Sequence, residues 1–228
     1  MAIAFVTETF YTEVALSSTS TVTPANTSGN LLVLCAVGRA AGGAPAINTV
    51  ADTGGDTWTK VDSLVGGTLD GELWYSLTTH VAGTVTVTWD KLTSSVVSCQ
   101  EISGIAAAPL DQAATPGTGS STTALSGSTG ITAQQVEIAV GFVACGGALP
   151  TFSGQTAGYT ANTEHQSAIA GVNSSLQSAY RILAATGVQA YGCTISASVT
   201  WVAFVATFKG SVIETFVPQR KTKTYLAM

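Results

Sequence analysis

The stretch NLLVLCAVG, residues 30–38, carries an unbroken apolar run from Leu31 to Val37 between Asn30 and Gly38. A run this short, bounded by turn formers, reads as a strand buried on both faces. VEIAVGFVAC (136–145) repeats the pattern a hundred residues later. Around these two lie TWTKVDSLV (57–65), GELWYSLTT (71–79), TVTVTWD (84–90), SSVVSCQEI (94–102) and SVTWVAFVATF (198–208), separated by turns rich in Gly, Asp and Ser. TVTVTW alternates Thr with Val or Trp, the signature of a half-buried antiparallel strand. Helix signals are poor, with room for a turn or two over 163–172. The reading is all-β: an antiparallel two-sheet sandwich, jelly-roll-like, with 30–38 and 136–145 at the centre of its core.

The chain also echoes itself. GGAPA (42–46) precedes GGALP (146–150) by 104 residues, and each follows a long apolar run. Tyr75 precedes Tyr180 by 105, Gly104 precedes Gly210 by 106, and Trp58–Thr59 matches Tyr159–Thr160 at an offset of 101. Two arrangements fit: one sandwich with similar halves, or two tandem immunoglobulin-like domains. The single sandwich is preferred, spanning 1–210 with pseudo-repeated halves at about 28–104 and 133–210, then a C-terminal arm at 211–228. GTGSSTTALSGSTG (117–130) has the composition of a linker, whereas GIAAAPLDQAATP before it reads as an ordered edge segment.

Composition narrows the function. Charged residues make up 9% of the chain, against roughly 25% in typical domains. Residues 1–209 hold five bases against twelve carboxylates, a formal −7, while 210–228 hold three bases against Glu214, a formal +2. An acidic body is a poor partner for nucleic acid, which selects clustered Lys and Arg. The N-terminus lacks the pattern of a signal peptide and no apolar run reaches spanning length, so the expectation is a protein made in a cytoplasm with no membrane partner. Cys35, Cys99, Cys145 and Cys193 show no paired spacing and sit in strand-like runs, as free buried thiols would.

Motifs for chemistry are sparse. His80 and His165 have no nucleophile elbow nearby and read as lone surface histidines. Asp70 and Glu72 share a strand face as a glycosidase pair would, but solvation explains them equally well. Asp52 and Asp56 flank a Gly-Gly turn in ADTGGDTW (51–58). Such oxygens can hold Ca²⁺, though an Asx-type turn needs fewer ligands and is the simpler reading. Trp58 and Trp74 could stack on a sugar, with core packing the default. The expectation is no catalytic residue, no cofactor and no metal.

SGNLLVLCAVGRA, INTVADTGGDTWTKVDS, GELWYSLTT, TVTVTW, SVVSCQEISG, PLDQAAT, VEIAVGFVA and WVAFVATFKG together resemble a group of β-sandwich proteins of tailed bacteriophages and related bacterial elements. The resemblance covers about residues 28–210. It implies a virion structural protein, as a head decoration, a minor tail protein or an adhesive module that binds carbohydrate on the host. It implies other virion proteins, major capsid or tail, as partners, and a homo-oligomer, with a trimer favoured. On that reading the C-terminal arm reaches a neighbour: Pro218 interrupts regular pairing, Arg220, Lys221 and Lys223 meet acidic surface, and Tyr225, Leu226 and Met228 anchor in apolar pockets.

Overall fold

A computed structural model describes residues 2–80 and 83–211. The arm residues Pro218, Arg220, Lys221, Lys223, Tyr225, Leu226 and Met228 lie outside the described residues. Among those described, the chain is all strand and no helix. The first half contains β1 (Ala4–Thr12), β2 (Ser17–Val22), β3 (Leu31–Arg39), β4 (Ile47–Asp52), β5 (Thr59–Gly66), β6 (Leu69–Leu77) and β7 (Val85–Ser103). The second contains β8 (Ile105–Ala113), β9 (Gly117–Leu125), β10 (Glu137–Gly146), β11 (Phe152–Ser153), β12 (Thr160–Ser167), β13 (Ser174–Leu183) and β14 (Gly192–Gly210).

All pairings are antiparallel, in two seven-stranded sheets of matching order. One runs β1-β7-β3-β6-β5 with β2 and β4 on the first part of β7. The other runs β11-β14-β10-β13-β12 with β8 and β9 also on β14. In the first half, the first strand pairs with the end of the last, the second with its beginning, and the third with the sixth. That is the winding order of a jelly roll whose last two strands are fused into one. The second half repeats it. The echoed residues occupy matching registers: Thr59 lies opposite Tyr75, and Thr160 opposite Tyr180. The pairing repeat is wider than the echo, because it includes β1 and β2 in one half and β8 and β9 in the other.

Burial on both faces of β3 and β10 has a simple cause. Leu31, Val33, Cys35 and Val37 of β3 meet Ile138, Val140, Phe142 and Ala144 of β10 in one core shared by both halves. The alternate residues Leu32, Leu34 and Ala36 face a second core under β2, β4 and the start of β7. Ala139, Val143 and Cys145 face its counterpart under β9, β11 and the start of β14. Each central strand is therefore a wall between two cores, and neither face is polar. The sheets approach closely where Gly71 lies against Val202, since a Cβ there would sit 2.6 Å from a Val202 methyl.

Three expectations change. Residues 117–125, part of the stretch of linker composition at 117–130, are strand β9, held by the edge that β14 offers. Residues 163–172 are not helical; they hold the end of β12 and a turn. His165 is not on the surface: it is 5% exposed, with its ring stacked on Phe10 at 3.6 Å and Nε2 3.5 Å from Glu8 Oε2. Glu8 Oε1 also accepts hydrogen bonds from Ser98 and Ser178, which face each other across the sandwich. A polar seam thus joins β1 and β7 to β12 and β13 beside the apolar core.

Candidate functional site

The Asp52–Thr57 loop joins β4 to β5 and shapes one end of the first half. Asp52 Oδ1 accepts from the Asp56 amide at 3.1 Å, and Gly55 takes a positive φ of 79° to complete the turn. Asp52 Oδ2 accepts from Trp58 Nε1 at 2.8 Å. Asp56 Oδ1 receives the Thr79 amide at 2.9 Å, the Thr79 hydroxyl at 2.6 Å and His80 Nδ1 at 3.1 Å. Burial works against ionisation of Asp56, but the Thr79 donors and then His80 outweigh it and hold the carboxyl below its usual value. The loop is an Asx-type turn whose acids bind the loop's own donors and the β6–β7 connection.

The other indole is arranged alike. Trp74 Nε1 donates to Glu72 Oε2 at 2.8 Å, and Lys60 Nζ reaches the same oxygen at 2.7 Å while lying over the Trp74 ring at 4.9 Å. Both tryptophans are half-buried against the core of the first half, so neither forms an exposed shelf. Asp70 and Glu72 are not solvated as expected; each is 2% exposed.

Both histidines meet a carboxylate, yet neither has the geometry of a proton relay. His80 Nδ1 contacts both the Thr79 hydroxyl, at 2.9 Å, and Asp56. Taking a proton while being oriented needs both ring nitrogens, and here one nitrogen makes both contacts. His165 and Glu8 are packed inside the seam. The four thiols are free and buried. Burial pushes each up, Cys193 to about 12, which suppresses the reactive thiolate.

A groove of about 350 Å³ runs beside the loop, between Thr57, Thr59 and Tyr75 on one wall and Ala107–Pro109 on the other. Its origin is a bulge in β8. Leu110 lies opposite Phe208 and Ile105 opposite Gly210, so residues 106–109 face the single residue 209. At the matching place in β1 the bulge is one residue long, and Phe5 closes the gap by stacking on Tyr180 at 4.1 Å. Tyr75, the counterpart of Tyr180, is left lining the groove. The spacing of sequence motifs did not reveal this groove; Pro109 in the edge segment was its one signal.

No protein-family model matches the chain, and neither a curated protein nor a solved structure matches it.

Proposed function

We propose that this protein is a non-enzymatic structural protein of a tailed-bacteriophage virion, decorating the head or forming part of the tail. The observation that carries the reading is the fate of the ADTGGDTW loop. Asp52, Asp56 and Trp58, the residues best suited to bind a host glycan, hold one another and the neighbouring turn instead of forming an open shelf. They act as scaffold. The low charge and the resemblance of residues 28–210 to phage sandwich proteins support the same role. The protein works as a homo-oligomer, a trimer on threefold positions, contacting major capsid or tail proteins through its C-terminal arm. Immunogold labelling of intact virions should place the chain on the head or tail; particles devoid of label, from lysates that contain the protein, would refute the role.

A second reading, a carbohydrate-binding adhesion module, is favoured by the groove alone. Tyr75 offers a ring face, and Thr57 and Thr59 offer hydroxyls beside it. On that reading a glycan array gives saturable binding that Tyr75→Ala removes. A silent array leaves the scaffold role standing.

A further inference from the structure

Under the Asp52–Thr57 loop lies a small cavity of about 10 Å³, lined by Asn26, Asp52, Gly54, Asp56 and His80 among others. That is the space of one water-sized sphere. Asn26 precedes β3 and is 5% exposed. Its Nδ2 donates to the His80 carbonyl at 3.1 Å, which leaves Oδ1 buried without a partner. Two carboxylates line the same space, and among the described residues neither pairs with Lys or Arg; the ion-pair partner of Asp56 is His80.

We propose that this cavity is a Ca²⁺ site, ligated by Asn26 Oδ1 and the carboxylates of Asp52 and Asp56. Three of its four polar lining side chains, Asn26, Asp52 and Asp56, present acceptor oxygens; His80 is the fourth. A single water has two protons to offer and no charge, whereas a divalent ion satisfies Asn26 Oδ1 and balances the charge of the buried Asp56 carboxylate and the half-buried Asp52. The donors are all hard oxygens, which select Ca²⁺ or Mg²⁺ over zinc. An amide and two carboxylates brought together by a loop give the irregular geometry that Ca²⁺ tolerates and Mg²⁺ does not. Among the described residues no three His, Cys, Asp or Glu gather as a metal cage, so the site depends on the Asn26 amide and has low ligand charge. Its expected Kd is roughly 10⁻⁴–10⁻³ M, the range of weak extracellular modules. The ion would tie together the segment before β3, the β4–β5 loop and the β6–β7 connection.

Terbium luminescence tests this on the full chain after chelator treatment. Trp58 bonds Asp52 directly, so Tb³⁺ in the cavity lies within energy-transfer range of an indole. Emission should rise saturably, be displaced by Ca²⁺, and fall sharply in Trp58→Phe. Millimolar Ca²⁺ should raise Tm in the native chain and in Trp58→Phe, and do so more than Mg²⁺. Asn26→Ala should weaken binding about tenfold or more, in line with loss of one ligand. Asn26→Asp adds a charge and should tighten it several-fold, an outcome that a water-filled cavity does not produce. Emission no greater than that of free indole, with a Ca²⁺ effect on Tm equal to that of ionic-strength-matched NaCl, would overturn the proposal and leave a buried water.

Discussion

Asp70 sits on the outer face of β6, where the backbone of β4 reaches across to bond Glu72 Oε1 at 3.1 Å. Its Oδ2 is buried with no partner. Burial first, and then the Glu72 carboxylate, push Asp70 from 3.8 up to about 8. A group that binds its proton more tightly when folded adds stability in full below its unfolded pKa, and loses it as pH rises through the folded value. The native chain should therefore lose stability between about pH 4 and pH 8 on account of this residue. Asp70→Asn keeps the shape and removes the titration. Its Tm should fall less from pH 6 to 9 and exceed the native value at the alkaline end, as melting curves across that range will show. Parallel curves would mean that Asp70 titrates normally. Nothing in GELW announces this burial: the carboxylates share a face, as their spacing requires, but β4 reaches over Glu72 from Ile47, 25 residues away in sequence.

At the scale of elements, legibility followed side-chain chemistry. β3 and β10 were readable because both their faces are apolar, and β7 because its start alternates. β9 was not, since GTGSSTTAL carries no apolar period and becomes a strand only through the edge that β14 supplies. β12 was misread for the same reason; its His165 and Ser167 are buried by Phe10, Glu8, Glu13 and Ser94, far away in sequence. The loop acids were legible as a pair, while Asn26 and the β8 bulge were not, because tertiary packing alone brings them to the site. The junction of the halves gives a further prediction. Gly104 joins β7 to β8 with φ of 73°, and a Cβ there would lie 2.3 Å from the Ala2 carbonyl oxygen. Gly104→Ala should cost about 1–3 kcal/mol, lowering Tm by roughly 2–4 °C for each kcal/mol in a chain of this size. Gly42→Ala meets nothing within 4 Å and serves as the control in the same calorimetric measurement. Equal Tm values for the two variants would remove the junction from the stability argument.

Considered whole, the molecule is two jelly-roll-like halves facing each other with a swap of roles: β7 packs on β13, and β14 packs on β6. Because β3 and β10 build the shared core, each half alone would expose a large apolar face. The described chain ends at this seam, where the Ser211 amide bonds the Gly104 carbonyl at 2.8 Å. The sequence that follows differs in charge from the body, a formal +2 over 210–228 against −7 over 1–209. On the proposed role, a basic segment of an acidic protein would meet the acidic surface of an identical neighbour, and repetition of that contact would close a ring. Burial of Tyr225, Leu226 and Met228 on that neighbour would contribute roughly 1.5–3 kcal/mol each before ordering costs of similar scale. Rim contacts of Arg220, Lys221 and Lys223 would add less and fade with salt. Deleting 216–228 should then leave Tm within a few degrees of the full chain, because the three described cores are built from residues between Ile3 and Phe208. The same deletion should weaken self-association and attachment to virions about tenfold or more, as measured by light scattering and particle co-sedimentation. Raising salt should weaken the full-length assembly only partly, since the apolar tip is insensitive to screening. Assembly and attachment of the truncated chain at full-length strength would show that the basic segment has no part in either, and the oligomer would have to be built from the sandwich surface itself.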